Sequence, residues 1–131
     1  MDLIADTSLL IGVWRSQPWA REFINENGSK TLGIPWVVLG EFWHGAIRAG
    51  HDEASVRRFL SIGLPVMDPE PVVHVYGRIC AELGGQNAYR SIGQNDLWIA
   101  ATAIAMGKPL ATRNVRHFDR IEGLQLEILE K

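Results

Sequence analysis

The sequence predicts an α/β fold: a three-layer α/β/α sandwich around a central, mainly parallel sheet of four or five strands. Three observations carry that expectation. Short apolar runs alternate with helical patterns along the chain, as βαβ units require. Leu3-Ile4-Ala5 is a run of consecutive apolar residues, the pattern of a strand buried on both faces. That run stops on Asp6-Thr7-Ser8, a carboxylate and two hydroxyls at the strand's carboxyl end, the edge where open α/β sheets bind ligands.

Composition narrows the class. The chain has 131 residues, 47% of them hydrophobic, which suits one core and a single domain over residues 1–131. A formal net charge of −2 argues against wrapping nucleic acid by bulk electrostatics. Ten of the 13 basic residues are arginines, however, the side chain suited to phosphate forks, so local clusters matter more than the total. The single cysteine, Cys80, has no internal disulfide partner, and its helical flanks suggest a buried thiol rather than a nucleophile. No leader pattern opens the chain and no stretch is long enough to cross a bilayer, so a cytoplasmic protein with no membrane contact is expected.

In chain order, residues 8–14 read as a short apolar helix capped by Thr7 or Ser8. Pro18 opens a second helix, which stops at Asn27-Gly28. Trp14, Trp19 and Phe23 lie close in sequence and are read as core packing, with an exposed partner-binding face as the alternative. Residues 31–34 read as a second strand. Pro35 then starts a helix through Ile47 that is apolar almost all round and therefore expected to be largely buried. Asp52-Glu53 caps an amphipathic helix carrying Val56, Phe59 and Leu60, with Arg57 and Arg58 outside. Residues 64–67 form a weak third strand, and Pro69 and Pro71 precede a helix over 72–83. Residues 87–93 are polar and read as a loop bordering the crevice. The strongest helix spans 94–107, rich in alanine and stopped by Gly107, with Asp96 in its first turn. A fourth strand at 110–112, a turn and short helix at 113–120, and an edge strand at 126–129 complete the pattern.

Three carboxylates stand out because each interrupts or ends an apolar segment: Asp6, Glu41 and Asp96. Glu41 has an ordinary explanation in pairing with His44 or Arg48, and Asp96 one in the helix dipole, worth about 0.3–1 kcal/mol. If the three meet in one crevice, their repulsion raises their pKa values unless a cation neutralises them. Hard oxygen donors suit Mg²⁺ or Mn²⁺, ions that activate water and clamp a phosphate for in-line displacement. No serine-histidine-acid or cysteine-histidine spacing competes. Arg113 and Arg116 lie beside the expected crevice, either as RNA phosphate contacts or as solvated surface arginines or partners of Asp119 and Glu122. His44, His51 and His74 receive no catalytic role.

Asp6-Thr7-Ser8 after an apolar strand, Glu41 in a helix ending Gly45-Ala46, residues 95–101 (NDLWIAA), and Thr112-Arg113-Asn114 leading to His117-Phe118 resemble the PIN-domain ribonucleases. More narrowly, the chain resembles the VapC-type toxins of toxin-antitoxin pairs, over essentially its whole length. The resemblance implies a PIN-like α/β/α fold and a Mg²⁺- or Mn²⁺-dependent endoribonuclease. It also implies an RNA substrate, a cognate antitoxin that blocks the site, and a homodimer. It assigns Asp6, Glu41 and Asp96 as the catalytic, metal-binding acids, with Thr7 or Ser8 supporting the first of them. Where the family often carries a fourth acid, this chain has Asn114 and His117, with Asp119 just beyond. Asn114 is then a fourth candidate ligand, and the expectation is one firm metal site on Asp6 and Asp96 with Glu41 orienting water or holding a weaker second ion.

The alternative function is a catalytically silent PIN-fold binding module. A receiver-type signalling domain wants paired acids after the first strand and a lysine after the last core strand, whereas Lys108-Pro109 precedes residues 110–112. A dehalogenase-like phosphatase wants Asp-x-Asp where Asp6-Thr7-Ser8 stands.

Overall fold

In the computed structural model, which describes residues 1–84 and 91–129, the first apolar run forms β1 (Leu3–Ala5), and all three of its residues are buried. The chain continues through α1 (Thr7–Trp14), α2 (Pro18–Glu26), β2 (Leu32–Pro35), α3 (Trp36–Arg48), α4 (Glu53–Leu60) and β3 (Gly63–Val66). There follow α5 (Glu70–Gly84), α6 (Gln94–Met106), β4 (Leu110–Thr112), α7 (Val115–Phe118) and β5 (Leu126–Ile128). The strands form one five-stranded sheet in the order β3-β2-β1-β4-β5, every pair parallel. Helices α1 to α4 accompany the chain from β1 out to β3, and α5 to α7 accompany it back across to β4 and β5. Because crossovers between parallel strands are right-handed, the two groups cover opposite faces, which is the expected three-layer arrangement. With both faces covered, β1 and β4 can be apolar throughout except for Thr112.

Local chemistry sets the helix ends. Pro18 occupies the first position of α2, where its missing N–H costs no hydrogen bond. Asp52 caps α4 by accepting from Ser55 N at 3.0 Å. Gly107 ends α6 in the left-handed region at φ 67°, a conformation that glycine adopts without a Cβ penalty. Inside α6, the buried Thr102 hydroxyl donates to the Trp98 carbonyl at 2.8 Å, so this helix lies on the core with no polar atom orphaned.

Several expectations need correction. The cap of α1 is Asp6 rather than Thr7 or Ser8: it is extended, at φ −79° and ψ 158°, and its carboxylate accepts from Thr7 N. Helix α3 is not enclosed all round. Val38, Phe42 and Ala46 are buried along one stripe, while Gly40, His44, Gly45 and Arg48 are exposed and Ile47 is 69% exposed. Glycine and alanine count as apolar in a pattern but do not oblige burial. The core packing read for Trp14, Trp19 and Phe23 holds: Trp19 and Phe23 are buried, and the half-buried Trp14 packs edge-on against Phe42, Phe59 and His51. Cys80 is half-buried in α5 rather than enclosed. Residues 87–90 of the expected crevice loop lie outside the described residues, and Ser91 and Ile92 are helical. No described helix is long and apolar enough to cross a membrane.

One close approach ties α1 to α2. A Cβ at Gly12 would collide with the six-membered ring of Trp19, and Ala20 Cβ lies 3.2 Å from the same point. Gly12→Ala therefore forces the indole to move, and overpacking of this kind costs about 1–3 kcal/mol. Urea unfolding should show a lowered midpoint with an unchanged m-value.

Candidate active site

The order β3-β2-β1-β4-β5 reverses direction at β1: the chain leaves β1 for β2 on one side, while β4 lies on the other. The carboxyl ends of β1 and β4 thus flank a topological switch point, where open sheets form their ligand crevice. Asp6 follows β1 and Thr112 ends β4, so the topology itself brings them together.

Asp6 is 2% exposed and accepts three hydrogen bonds. Thr7 N donates to Oδ1 at 2.8 Å, and Oδ2 accepts from Ser8 Oγ at 3.2 Å and from Thr112 Oγ1 at 2.6 Å. Thr112 is fully buried, and its hydroxyl is aimed by the Asn114 backbone N–H, which donates to it at 2.9 Å. Burial pushes the Asp6 carboxyl above the usual aspartate range, against the Thr112 hydrogen bond. The charge of Asp96 raises it further, and the Thr7 and Ser8 bonds oppose.

Glu41 is half-buried on α3, and neither His44 nor Arg48 pairs with it. Its two oxygens instead accept from the neighbours of the other two acids: Thr7 Oγ1 donates to Oε1 at 2.5 Å and Asn95 Nδ2 to Oε2 at 3.2 Å. Residues adjacent to Asp6 and to Asp96 therefore converge on one carboxylate. Asp96, in the first turn of α6, contacts His117 Nδ1 through Oδ2 at 2.7 Å. Its carboxyl is raised chiefly by burial. The hydrogen bond and charge of His117 work against that, and the Glu41 charge adds to it. A recess of about 400 Å³ is lined by Glu41, Asn95 and Asp96 with residues 92–94. A more apolar groove of about 390 Å³ runs between α1 and α3, past Ile11, Trp14 and Phe42, to Glu41.

The structure thus gathers Asp6, Glu41, Asp96, Thr7 and Ser8 in one place. Asn114 bonds into the site through its backbone, and its side chain makes no capping bond to α7. Arg113 sits at the rim: its backbone N–H faces Ser8 Oγ at 3.5 Å, and its guanidinium lies over Trp19, 4.3 Å from the ring centroid. Arg116 is exposed on α7. Neither arginine forms an ion pair with Asp119 or Glu122 among the described residues.

Two site residues, Thr112 and Asn95, escaped the sequence reading, as did the pairing of His117 with Asp96. Thr112 was legible as the one hydroxyl in an otherwise apolar strand. Asn95 and the His117–Asp96 pairing depend on how α6 meets α3 and α7, and no spacing in the sequence reports that.

Among the described residues, no three acid, imidazole or thiol side chains stand close enough to enclose an ion by themselves. Mg²⁺ does not ask for that: it is usually held by one or two carboxylates and keeps waters for a substrate phosphate to replace. The Asp96 charge raises the Asp6 carboxyl and the Glu41 charge raises that of Asp96, each adding to the effect of burial. The oxygen donors therefore fit a hydrated hard cation on Asp6 and Asp96.

Comparison with known proteins agrees with this geometry. The PIN domain family model matches residues 3–124. Ribonuclease VapC2 of Haemophilus influenzae is 33% identical over 128 residues, covering 93% of each chain. Ribonuclease VapC1 of Rickettsia felis is 32% identical over 134 residues, covering 96% of this chain and 95% of the relative. Among solved structures, VapBC2 from Rickettsia felis bound to a DNA fragment from their promoter superposes with a TM-score of 0.84 at 26% identity, covering 99% of this chain and all of that one. DNA-bound VapBC from Salmonella typhimurium gives a TM-score of 0.83 at 28% identity over 98% of both chains. With a family model spanning nearly the whole chain and VapC relatives above 30% identity over more than nine-tenths of it, this chain belongs to the PIN-domain family, within its VapC ribonuclease branch.

Proposed function

We propose that the chain is a Mg²⁺- or Mn²⁺-dependent endoribonuclease, the toxin of a type II toxin-antitoxin pair acting in the cytoplasm. The observation that carries this reading is the linkage of three carboxylates from β1, α3 and α6 through Thr7 and Asn95. The bound ion would lower the pKa of a water and offset the charge of the scissile phosphate.

The residues of the chain prepare that chemistry. Asp6 offers about four lone-pair directions, and Thr7 N, Ser8 and Thr112 take three, which fixes the carboxylate and leaves one for the ion. Asp96, turned by His117, supplies the second anionic ligand, and Asn114 is the fourth and weakest candidate, with a neutral oxygen. Glu41 holds both oxygens on neutral donors, a setting in which it orients the attacking water or supports a weaker second ion. Arg113 and Arg116 face the RNA phosphates. The apolar groove that ends at Glu41 suits a segment of the cognate antitoxin, which would block the crevice from that side. Self-association as a homodimer accompanies this reading.

The test is cleavage of total RNA by purified, antitoxin-free protein in Mg²⁺ or Mn²⁺, beside a chelator control and Glu41→Gln. Fragments should appear with metal and vanish with chelator, and Glu41→Gln should slow cleavage by about 10²-fold. Intact RNA in every lane, from protein shown to be folded, would favour the silent binding module.

A further inference from the structure

We propose that Trp19 and Arg113 form a clamp that grips a phosphate of the RNA strand next to the scissile bond, with Trp19 as a positioning residue for the guanidinium. The proposal rests on the ribonuclease reading above and adds to it the residue that sets the direction of Arg113. Trp19 opens α2 directly after Pro18 and is 9% exposed. Gly12 lies against its six-membered ring, and its Nε1 donates to Gln17 Oε1 at 3.1 Å, so the indole is held in place. Arg113 follows Thr112, whose hydroxyl bonds Asp6, and its own backbone N–H faces Ser8. The guanidinium is thus anchored one residue from the hydrogen bonds of the first acid.

With Cζ over the indole, 4.3 Å from the centroid, the cation–π contact holds the guanidinium against the ring face, and among the described residues no side-chain N–H of Arg113 is spent on a protein acceptor. Those donors form a fork matched to two phosphate oxygens. A free surface arginine loses rotamer entropy when it binds, whereas a stacked one has lost much of it already, so the clamp adds affinity by preorganisation. Arg113 is exposed, and among the described residues no carboxylate neutralises it. In a chain of net charge −2, a cation placed in this way supplies RNA affinity that the total charge does not.

The experiment titrates the full chain against a labelled single-stranded RNA oligonucleotide in chelator over a range of NaCl concentrations, then measures KM and kcat with Mg²⁺. Arg113→Gln should weaken binding about tenfold and reduce the slope of log K against log salt by about 0.7. Trp19→Leu keeps the charge, so the salt slope should stay while affinity falls about fivefold, and Trp19→Phe, which retains an aromatic face, should recover most of it. The cleavage defects should appear in KM rather than kcat. An unchanged Kd and salt slope in Arg113→Gln would overturn the clamp, as would a folded Trp19→Leu that binds RNA like the wild type. If Trp19→Leu does not fold, Arg113→Gln, altered only at an exposed side chain, decides alone. Wild-type protein that neither binds nor cuts RNA would instead defeat the ribonuclease reading itself.

Discussion

Asp6→Asn should lower RNA cleavage by on the order of 10³-fold or more while making the ion-free protein more stable. The first effect follows from losing a ligand whose ion supplies several kcal/mol of transition-state stabilisation. The second follows from burial: Asp6 is 2% exposed, and its carboxyl is held above the usual range mainly by desolvation, with the Asp96 charge adding to it. Asparagine caps helices as well as aspartate does and keeps an oxygen for Thr7 N. Its amide can donate to the hydroxyls of Ser8 and Thr112, which accept as readily as they donate. Removing the buried charge should therefore raise stability by about 1 kcal/mol, or roughly 3–5 °C in Tm for a chain of this size. Activity and stability move in opposite directions, and thermal melts beside an RNA cleavage assay check both. A variant that is inactive because it is unfolded would show a lowered Tm instead.

Divalent ions should stabilise the wild type by about 2.7 kcal/mol at a hundredfold excess over Kd, and Asp6→Asn much less. The same two carboxyls give a pH signature. Both Asp6 and Asp96 are raised in the folded protein. Their contribution to stability is therefore fully present below the ordinary aspartate range and is lost as pH rises through the raised folded values. Asp2 and Asp52 have the opposite sign: backbone hydrogen bonds from Thr31 and Ser55 lower them, so their contribution is present above the ordinary range and lost as pH falls. Subtracting the Asp6→Asn curve from the wild-type curve removes those groups. In chelator, the difference should show the wild type losing ground from acid towards neutral pH. Adding Mg²⁺ at neutral pH should recover it. A difference curve that is flat with pH and insensitive to Mg²⁺ would mean that Asp6 carries no unbalanced charge.

The parts of this site that were legible in sequence are the ones that break a pattern. Asp6 ends a doubly buried strand, Glu41 interrupts an apolar helix and Asp96 opens a helix with few other charges, so each carboxylate asks for a reason. Strand alternation with helices likewise foretold a parallel sheet. The convergence itself depended on β4 pairing beside β1 rather than beyond β3, a long-range choice that no local propensity encodes. Asn95 is a neutral polar residue that disturbs no periodicity, and Thr112, although it is the one hydroxyl of its strand, bonds Asp6 only because β4 lies against β1. The burial of α3 was overestimated because its glycines and Ile47 look apolar on paper yet face outward.

Crystals grown with Mn²⁺, with the anomalous signal of the ion recorded, address the central claim most directly. The account predicts a peak coordinated by the carboxylates of Asp6 and Asp96, with Glu41 beside it, and no such peak in Asp6→Asn. A fully occupied ion bound elsewhere, or no ion at this crevice at a Mn²⁺ concentration that supports cleavage, would contradict it.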